Sequence, residues 1–203
     1  MPDIKSTCRT AALGALTSLM VACATPSAPV NKTTYDFGEI ELPAPAAQAP
    51  TPRAPLALAE IQTAWGQSST AMQYRLAYAN AQQVLPYREA SWRMPPAQLV
   101  AQTVRAVLAQ QRPVVSLGEG SAPLLLQLTL ESFGQSFKTP TSSQGSVRLR
   151  ATLLKGDQLL AQRAFATEVP AATADAAGGA RALSEATRQV ATELASWLGG
   201  IPD

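Results

Sequence analysis

The sequence predicts an α/β fold, a single sandwich domain in which two main helices pack on a mixed, largely antiparallel sheet. Three observations predict it. Large apolar residues recur at every second position through Met72 to Tyr78 and Leu124 to Leu130, and apolar ones through Val147 to Leu153, the pattern of half-buried strands. Through Leu99 to Leu108 and Leu183 to Trp197 they recur at helical spacing, the pattern of amphipathic helices. The order strands, helix, strands, helix is that of helices layered on a sheet.

Length and composition bound the rest. The chain has 203 residues, enough for one folded domain with non-globular ends. Apolar residues make up 46% of it and charged residues 15%, so it can bury a core and is not a charged disordered tail. Sixteen Lys and Arg stand against fourteen Asp and Glu, a net charge of +2 spread along the chain. This gives no broad positive face for nucleic acid. There is no His, which excludes a Ser-His-Asp or Cys-His nucleophile, an HExxH zinc site and haem ligation through His.

The elements follow in order. Lys5 and Arg9 precede Ala11 to Met20, a run of apolar and small residues too short to span a membrane and of signal-peptide length. It ends in Leu19-Met20-Val21-Ala22-Cys23, which resembles the lipobox of bacterial lipoproteins. Residues 1–22 are expected to be the signal peptide and Cys23 the lipidated residue. The alternative is ordinary secretory cleavage with Cys23 left as a free thiol. Cys8 would be removed with the signal, leaving Cys23 as the only Cys and no internal disulfide. By that resemblance Cys23 carries a diacylglycerol thioether and an amide-linked acyl chain such as palmitate, an anchor far stronger than one chain. Ala24, where Asp would retain the protein at the inner membrane, favours the periplasmic face of the outer membrane.

Residues 23–34 read as a tether and residues 35–203 as the domain. Thr33 to Phe37 has the content of a short strand ended by Gly38, and residues 42–55, with Pro43, Pro45, Pro50, Pro52 and Pro55, read as a polyproline-II linker. An SH3-type ligand is the alternative there, without a clear basic anchor. Leu56 to Ile61 suggests a strand, Gly66 to Thr70 a loop, and Val84 to Trp92 another strand closed by Met94-Pro95-Pro96. Pro96 suits the first turn of a helix, expected over roughly Pro96 to Gln110. Lys155-Gly156-Asp157 is a compact turn, making a hairpin of Val147 to Leu153 with Leu159 to Val169. The last helix is expected over roughly Ala180 to Leu198, stopped by Gly199-Gly200 and Pro202.

Candidate chemistry is sparse, and no catalytic, cofactor-binding or metal-binding residue is predicted. Gly118-Glu119-Gly120 lacks the third glycine of a dinucleotide loop and reads as a turn. Gly66-Gln67-Ser68 begins like a nucleophile elbow, but Thr70 replaces the closing glycine. Glu60, Glu89, Glu119 and Glu131 are more simply solvated carboxylates than a glycosidase pair. Arg148 and Arg150 share a strand face where a phosphate or lipid headgroup would fit, although a solvated face is the commoner arrangement. Tyr74, Tyr87 and Trp92 lie near Arg75, Arg88 and Arg93, a composition that interfaces favour. Tyr74 shares strand parity with Met72, Leu76 and Tyr78 and is expected in the core. Arg75 points the other way, as an ion-pair partner or a docking residue. Trp92 either packs under the first helix or contacts a partner, so Arg75 and Trp92 are the candidate partner contacts.

Taken together, Cys23, Tyr35-Asp36-Phe37-Gly38, Tyr74-Arg75, Tyr87, Trp92, Pro95-Pro96 and Trp197-Leu198 resemble the ABC-type transport auxiliary lipoproteins, which include the PqiC-like proteins. Glu39 and Arg93 depart from the pattern, where a Pro and a small residue are usual. The resemblance implies a fold similar to the N-terminal domain of TolB and no catalytic residues. It implies a non-enzymatic adapter at the outer membrane that serves an ABC transporter through its mammalian-cell-entry (MCE) protein, in the transport of lipids or other hydrophobic compounds between membranes. The alternative function is a lipoprotein regulator of a cell-wall synthase, of the LpoB kind. No cofactor and no nucleic acid is expected, and the sequence leaves the oligomeric state open.

Overall fold

The computed structural model describes residues 32–39, 53–63 and 69–202. Cys23 and the signal segment, most of the proline-rich stretch and the Gly66-Gln67-Ser68 loop lie outside the described residues. The elements in order are β1 (Thr33–Tyr35), β2 (Leu56–Leu58), β3 (Gln62–Thr63), β4 (Ala71–Leu76), α1 (Ala77–Asn80), β5 (Ala81–Trp92), α2 (Pro96–Ala109), β6 (Val114–Ser116), β7 (Leu124–Thr139), β8 (Ser142–Lys155), β9 (Gln158–Pro170) and α3 (Ala176–Gly199). This is the expected α/β architecture with a mixed sheet. The two long helices stand where the periodicity puts them, and α1 is a single additional turn.

Strand β7 is the spine. On one side it pairs antiparallel with β8, which pairs antiparallel with β9. On its other side β7 meets β2, β3 and β4 in succession, all parallel to it. They pair with Leu124 to Leu126, with Thr129 and Leu130, and with Gln135 to Phe137 respectively. The sheet continues from β2 to β6 in parallel, and from β4 to β5 antiparallel and on to β1 in parallel. Antiparallel pairing supplies the two long ladders, β7–β8 and β8–β9, while every parallel ladder is short, and alternation within a strand does not reveal which partner it takes.

The core lies between one face of this sheet and the helices. Leu124, Leu126, Leu128 and Leu130 of β7 and Val147, Leu149, Ala151 and Leu153 of β8 are buried, as are Leu99, Val100 and Val104 of α2 and Leu183, Val190 and Leu194 of α3. Full burial of a large aliphatic side chain stabilises by about 1.5–3 kcal/mol. Helix α3 packs on β8 and β9 and against α2. Pro95 (φ −53°, ψ 142°) precedes α2 in extended conformation, and Pro96 occupies its first turn, where a missing N–H is harmless.

Three departures from the sequence reading have physical causes. The register between β7 and β8 shifts between Leu130 and Ser132. This bulge takes up Glu131 and reverses the parity, so Phe133, Gln135 and Phe137 continue the inward face after Leu130. The alternation from Met72 ends at Leu76: α1 follows, and Tyr78, expected in the strand, is 48% exposed. Helix α3 starts before Ala180, because the Asp175 side chain accepts from the Gly178 N–H at 2.7 Å and caps a first turn that contains Gly178 and Gly179. Those glycines are needed there, since a Cβ at Gly179 would overlap the Gln135 carboxamide and one at Gly178 the Thr173 carbonyl.

The other glycine of consequence is Gly145 on β8, where a Cβ would sit 2.8 Å from the Leu183 nitrogen of α3. Its absence lets the helix backbone approach the sheet. The expected turn at Lys155-Gly156-Asp157 is present, with Gly156 at φ 58°. At the far end of α3 the Arg53 guanidinium donates to the carbonyl of Leu198 at 3.1 Å and to that of Gly199. An arginine from the end of the proline-rich stretch thus satisfies carbonyls that the helix leaves open.

Candidate partner-binding groove

The sheet face turned away from the buried leucines carries Arg148, Arg150, Gln162, Ala164 and Ala166, all exposed. On it lies a groove of about 330 Å³. Its lining comes from β4 (Gln73, Tyr74, Arg75), β5 (Val84), the stretch of β7 from Glu131 to Ser136, and β8 (Ser146). The concavity follows from side-chain size: Ser132, Gly134 and Ser136 alternate on the outward side of β7 after the bulge, and Gly134 and Ser146 are register partners across to β8.

A packed, hydrogen-bonded layer lies beneath. Tyr74 and Tyr87 pack with ring centroids 4.5 Å apart, and Phe137 stands against Tyr74 at 5.6 Å. The Tyr87 hydroxyl donates to Gln135 Oε1 at 2.8 Å. Gln135, 1% exposed, donates from Nε2 to Ser143 Oγ at 2.8 Å and to the Asp175 carbonyl at 3.0 Å. Burial pushes the Tyr87 pKa up, with the neighbouring Tyr74 adding to it, so Tyr87 stays a neutral donor. The Asp175 carboxyl titrates below its ordinary value, chiefly because it accepts from the Gly178 N–H and then from the Thr173 hydroxyl. This network ties the groove floor to the first turn of α3.

The charges are unevenly matched. Glu131 is ion-paired with Arg150, and Lys138 with Glu168 at 3.8 Å. Arg75 lies exposed at the groove wall, where its Nη1 donates to the carbonyls of Gln82 at 3.2 Å and Ala81 at 3.5 Å, closing the β4–α1–β5 connection. Neither Arg75 nor Arg148 is ion-paired to a carboxylate among the described residues. A guanidinium, a carboxylate, hydroxyls and an amide around a concave floor suit recognition by charge and hydrogen bonding.

The two candidate contacts separate here. Arg75 faces the groove, as its parity indicates. Trp92 does not reach the surface: it is 3% exposed and meets Phe37 and Phe133 edge-on at 5.8 and 5.6 Å. It is a core residue, and the partner-contact reading is corrected for it. Tyr74 is half-buried rather than fully in the core. Arg93 pairs with Asp36 at 3.4 Å beside the β1 end, away from the Arg75 groove. Arg148 and Arg150 share the open face as expected, and Gly118-Glu119-Gly120 is a turn in which Glu119 accepts from the Ser116 N–H at 3.1 Å. Gln135 and the serines do not stand out in the sequence, since only the bulge at Glu131 tells which of them face in. Among the described residues no group of three or more His, Cys, Asp or Glu is placed to hold a metal ion, and no helix is long and apolar enough to cross a membrane.

Comparison with known proteins places the chain. A protein of the DUF330 family from Xanthomonas campestris superposes with a TM-score of 0.71 at 22% identity, over 82% of this chain and 94% of its own. An uncharacterized protein of known structure gives 0.65 at 16% identity, over 83% and 99%. A hypothetical protein from Chlamydia trachomatis gives 0.52 at 5% identity, over 73% and 96%. At these identities the likeness is one of fold. No significant match is found among curated proteins. The family model described as the ABC-type transport auxiliary lipoprotein component matches residues 41–195. That span covers most of the chain, including every strand from β2 onward and both long helices except the last residues of α3, and the protein therefore belongs to the ABC-type transport auxiliary lipoprotein family.

Proposed function

We propose that the protein is a non-enzymatic adapter of an ABC-type transport system, lipidated at Cys23 and held at the periplasmic face of the outer membrane. In this reading it docks the MCE-domain protein of the transporter and serves the movement of lipids or other hydrophobic compounds between the membranes. The family match over residues 41–195 carries the reading. The open sheet face with its groove supports it, because that face presents charged and hydrogen-bonding groups without a described helix of its own chain upon it. Residues 1–22 are the signal peptide, 23–34 the tether and 35–203 the domain. Periplasmic crosslinking followed by isolation of the lipoprotein should recover a membrane-anchored MCE protein, and recovery of a cell-wall synthase alone would replace the reading. Labelled palmitate should enter the wild-type chain and not Cys23→Ala, which should leave the membrane fraction. Retention of that variant on outer membranes in high salt would remove the anchor.

A further inference from the structure

We propose that the open face of the sheet is a docking surface for an acidic protein segment, received in the groove between Arg75 and Arg148. The inference rests on the adapter reading and names the face and the chemistry that the reading leaves unspecified. On this face two of the cations already have carboxylate partners, Arg150 with Glu131 and Lys138 with Glu168. Arg75 and Arg148 have no carboxylate partner among the described residues; Arg75 lines the groove, and Arg148 stands just beyond its lining beside Ser132. Arg75 is the register partner of Ser136 from the β4 side and Arg148 that of Ser132 from the β8 side. Their backbones are thus offset by about 13 Å along β7 and about 10 Å across it. Two carboxylates on one extended or helical segment span that offset, and the small residues between let the segment approach the sheet.

The same observations weigh against an anionic membrane as the occupant. Two basic residues near such a surface give only weak attachment, and the face is concave where a membrane is flat. Among the groove residues Val84, 42% exposed, is the large aliphatic side chain left open, whereas surface-bound elements bury a continuous apolar face. An acidic side chain entering the groove gains charge-assisted hydrogen bonds from a guanidinium and from the serine hydroxyls.

The test uses the full lipidated chain in nanodiscs and the periplasmic part of the MCE-domain protein encoded with its transporter. The double variant Arg75→Glu/Arg148→Glu is expected to weaken the Kd at least about tenfold, and raising salt is expected to weaken wild-type binding. Lys155→Glu, which makes the charge change of Arg148→Glu alone but at the β8–β9 turn, should stay within about twofold if the effect is local rather than one of net charge. Because Arg75 also bonds the Ala81 and Gln82 carbonyls, Arg148→Glu alone is measured beside it, with the melting temperature of each variant. Loss of affinity in Arg148→Glu at unchanged melting temperature supports the proposal. Binding that survives the double variant overturns it and leaves the adapter reading standing. Absence of binding by the wild type, with the MCE protein folded, removes both. Binding to vesicles rich in anionic phosphoglycerol lipid that depends on the two arginines, with MCE binding unchanged, would assign the face to a membrane instead.

Discussion

Replacing Gly145 by Ala adds one methyl group where the structure has no room. The new Cβ would lie 2.8 Å from the Leu183 nitrogen, 2.9 Å from the Ala182 carbonyl carbon and 3.1 Å from the Ala182 Cβ. Two of these are backbone atoms of α3, so no rotamer relieves the overlap, and α3 or β8 must move by several tenths of an ångström. Overpacking of this kind costs about 1–3 kcal/mol. The strand preference of Ala over Gly returns a fraction of that, within a scale spanning about 1 kcal/mol. Gly134 on β7 is the internal control, since a Cβ there would have its nearest neighbour, the Gln73 carbonyl oxygen, at 3.9 Å. Gly134→Ala should therefore change stability by less than about 0.5 kcal/mol. In urea unfolding Gly145→Ala should lower the midpoint at unchanged m-value. At about 2–4 °C per kcal/mol for a domain of this size, its melting temperature should fall by about 2–10 °C. Equal stability of the two variants would show that α3 does not sit on β8 as closely as described.

Other expectations concern single side chains. Asp175 has a depressed pKa in the folded state, so its contribution to stability is present above its unfolded pKa and is lost as the pH falls through the folded value. Asp175→Ala should cost about 1 kcal/mol at neutral pH, and the deficit should shrink in urea titrations taken into the acid range. Trp92→Ala should cost about 3–5 kcal/mol as a core truncation, while Arg75→Ala, at an exposed site, should cost about 1 kcal/mol or less. A stable Trp92→Ala protein would contradict the burial described. Arg53→Ala should fray the last turn of α3, seen as faster amide exchange from Leu198 onward at a cost of up to about 2 kcal/mol. Unchanged exchange there would remove the cap.

How much of the structure is legible in the sequence tracks how locally each feature is encoded. The helical stripe of Leu99, Val100, Val104 and Val107 and the alternation of Val147, Leu149, Ala151 and Leu153 are contained in their own windows, and they place α2 and β8 correctly. The second half of β7 does not read as strand, because one extra residue at Glu131 inverts the alternation and the pattern no longer looks continuous. The first turn of α3 escapes the sequence reading since Gly179 answers to a partner far away in the chain, Gln135. The groove is invisible for a similar reason: Ser132, Ser136 and Ser146 are unremarkable in sequence, and only strand pairing brings them beside Arg75. The two roles open to Trp92 differ in burial, which depends on Phe37 and Phe133 from distant parts of the chain.

The position of β7 as spine sets an order on folding. Its partners on one flank, β8 and β9, follow it in the chain through tight turns, and α3 follows them, so residues 124–199 form a contiguous unit whose contacts close short loops. The strands on the other flank, β2, β3 and β4, precede it by the whole of β5, α2 and β6, and their parallel pairing has to wait for that crossover to be in place. A chain emerging from its N-terminus therefore displays β2 to β4 before β7, the strand all three share, exists. Damage within the meander, as by Leu149→Ala, is expected to slow folding, whereas damage in β2 to β4 falls mainly on the unfolding rate.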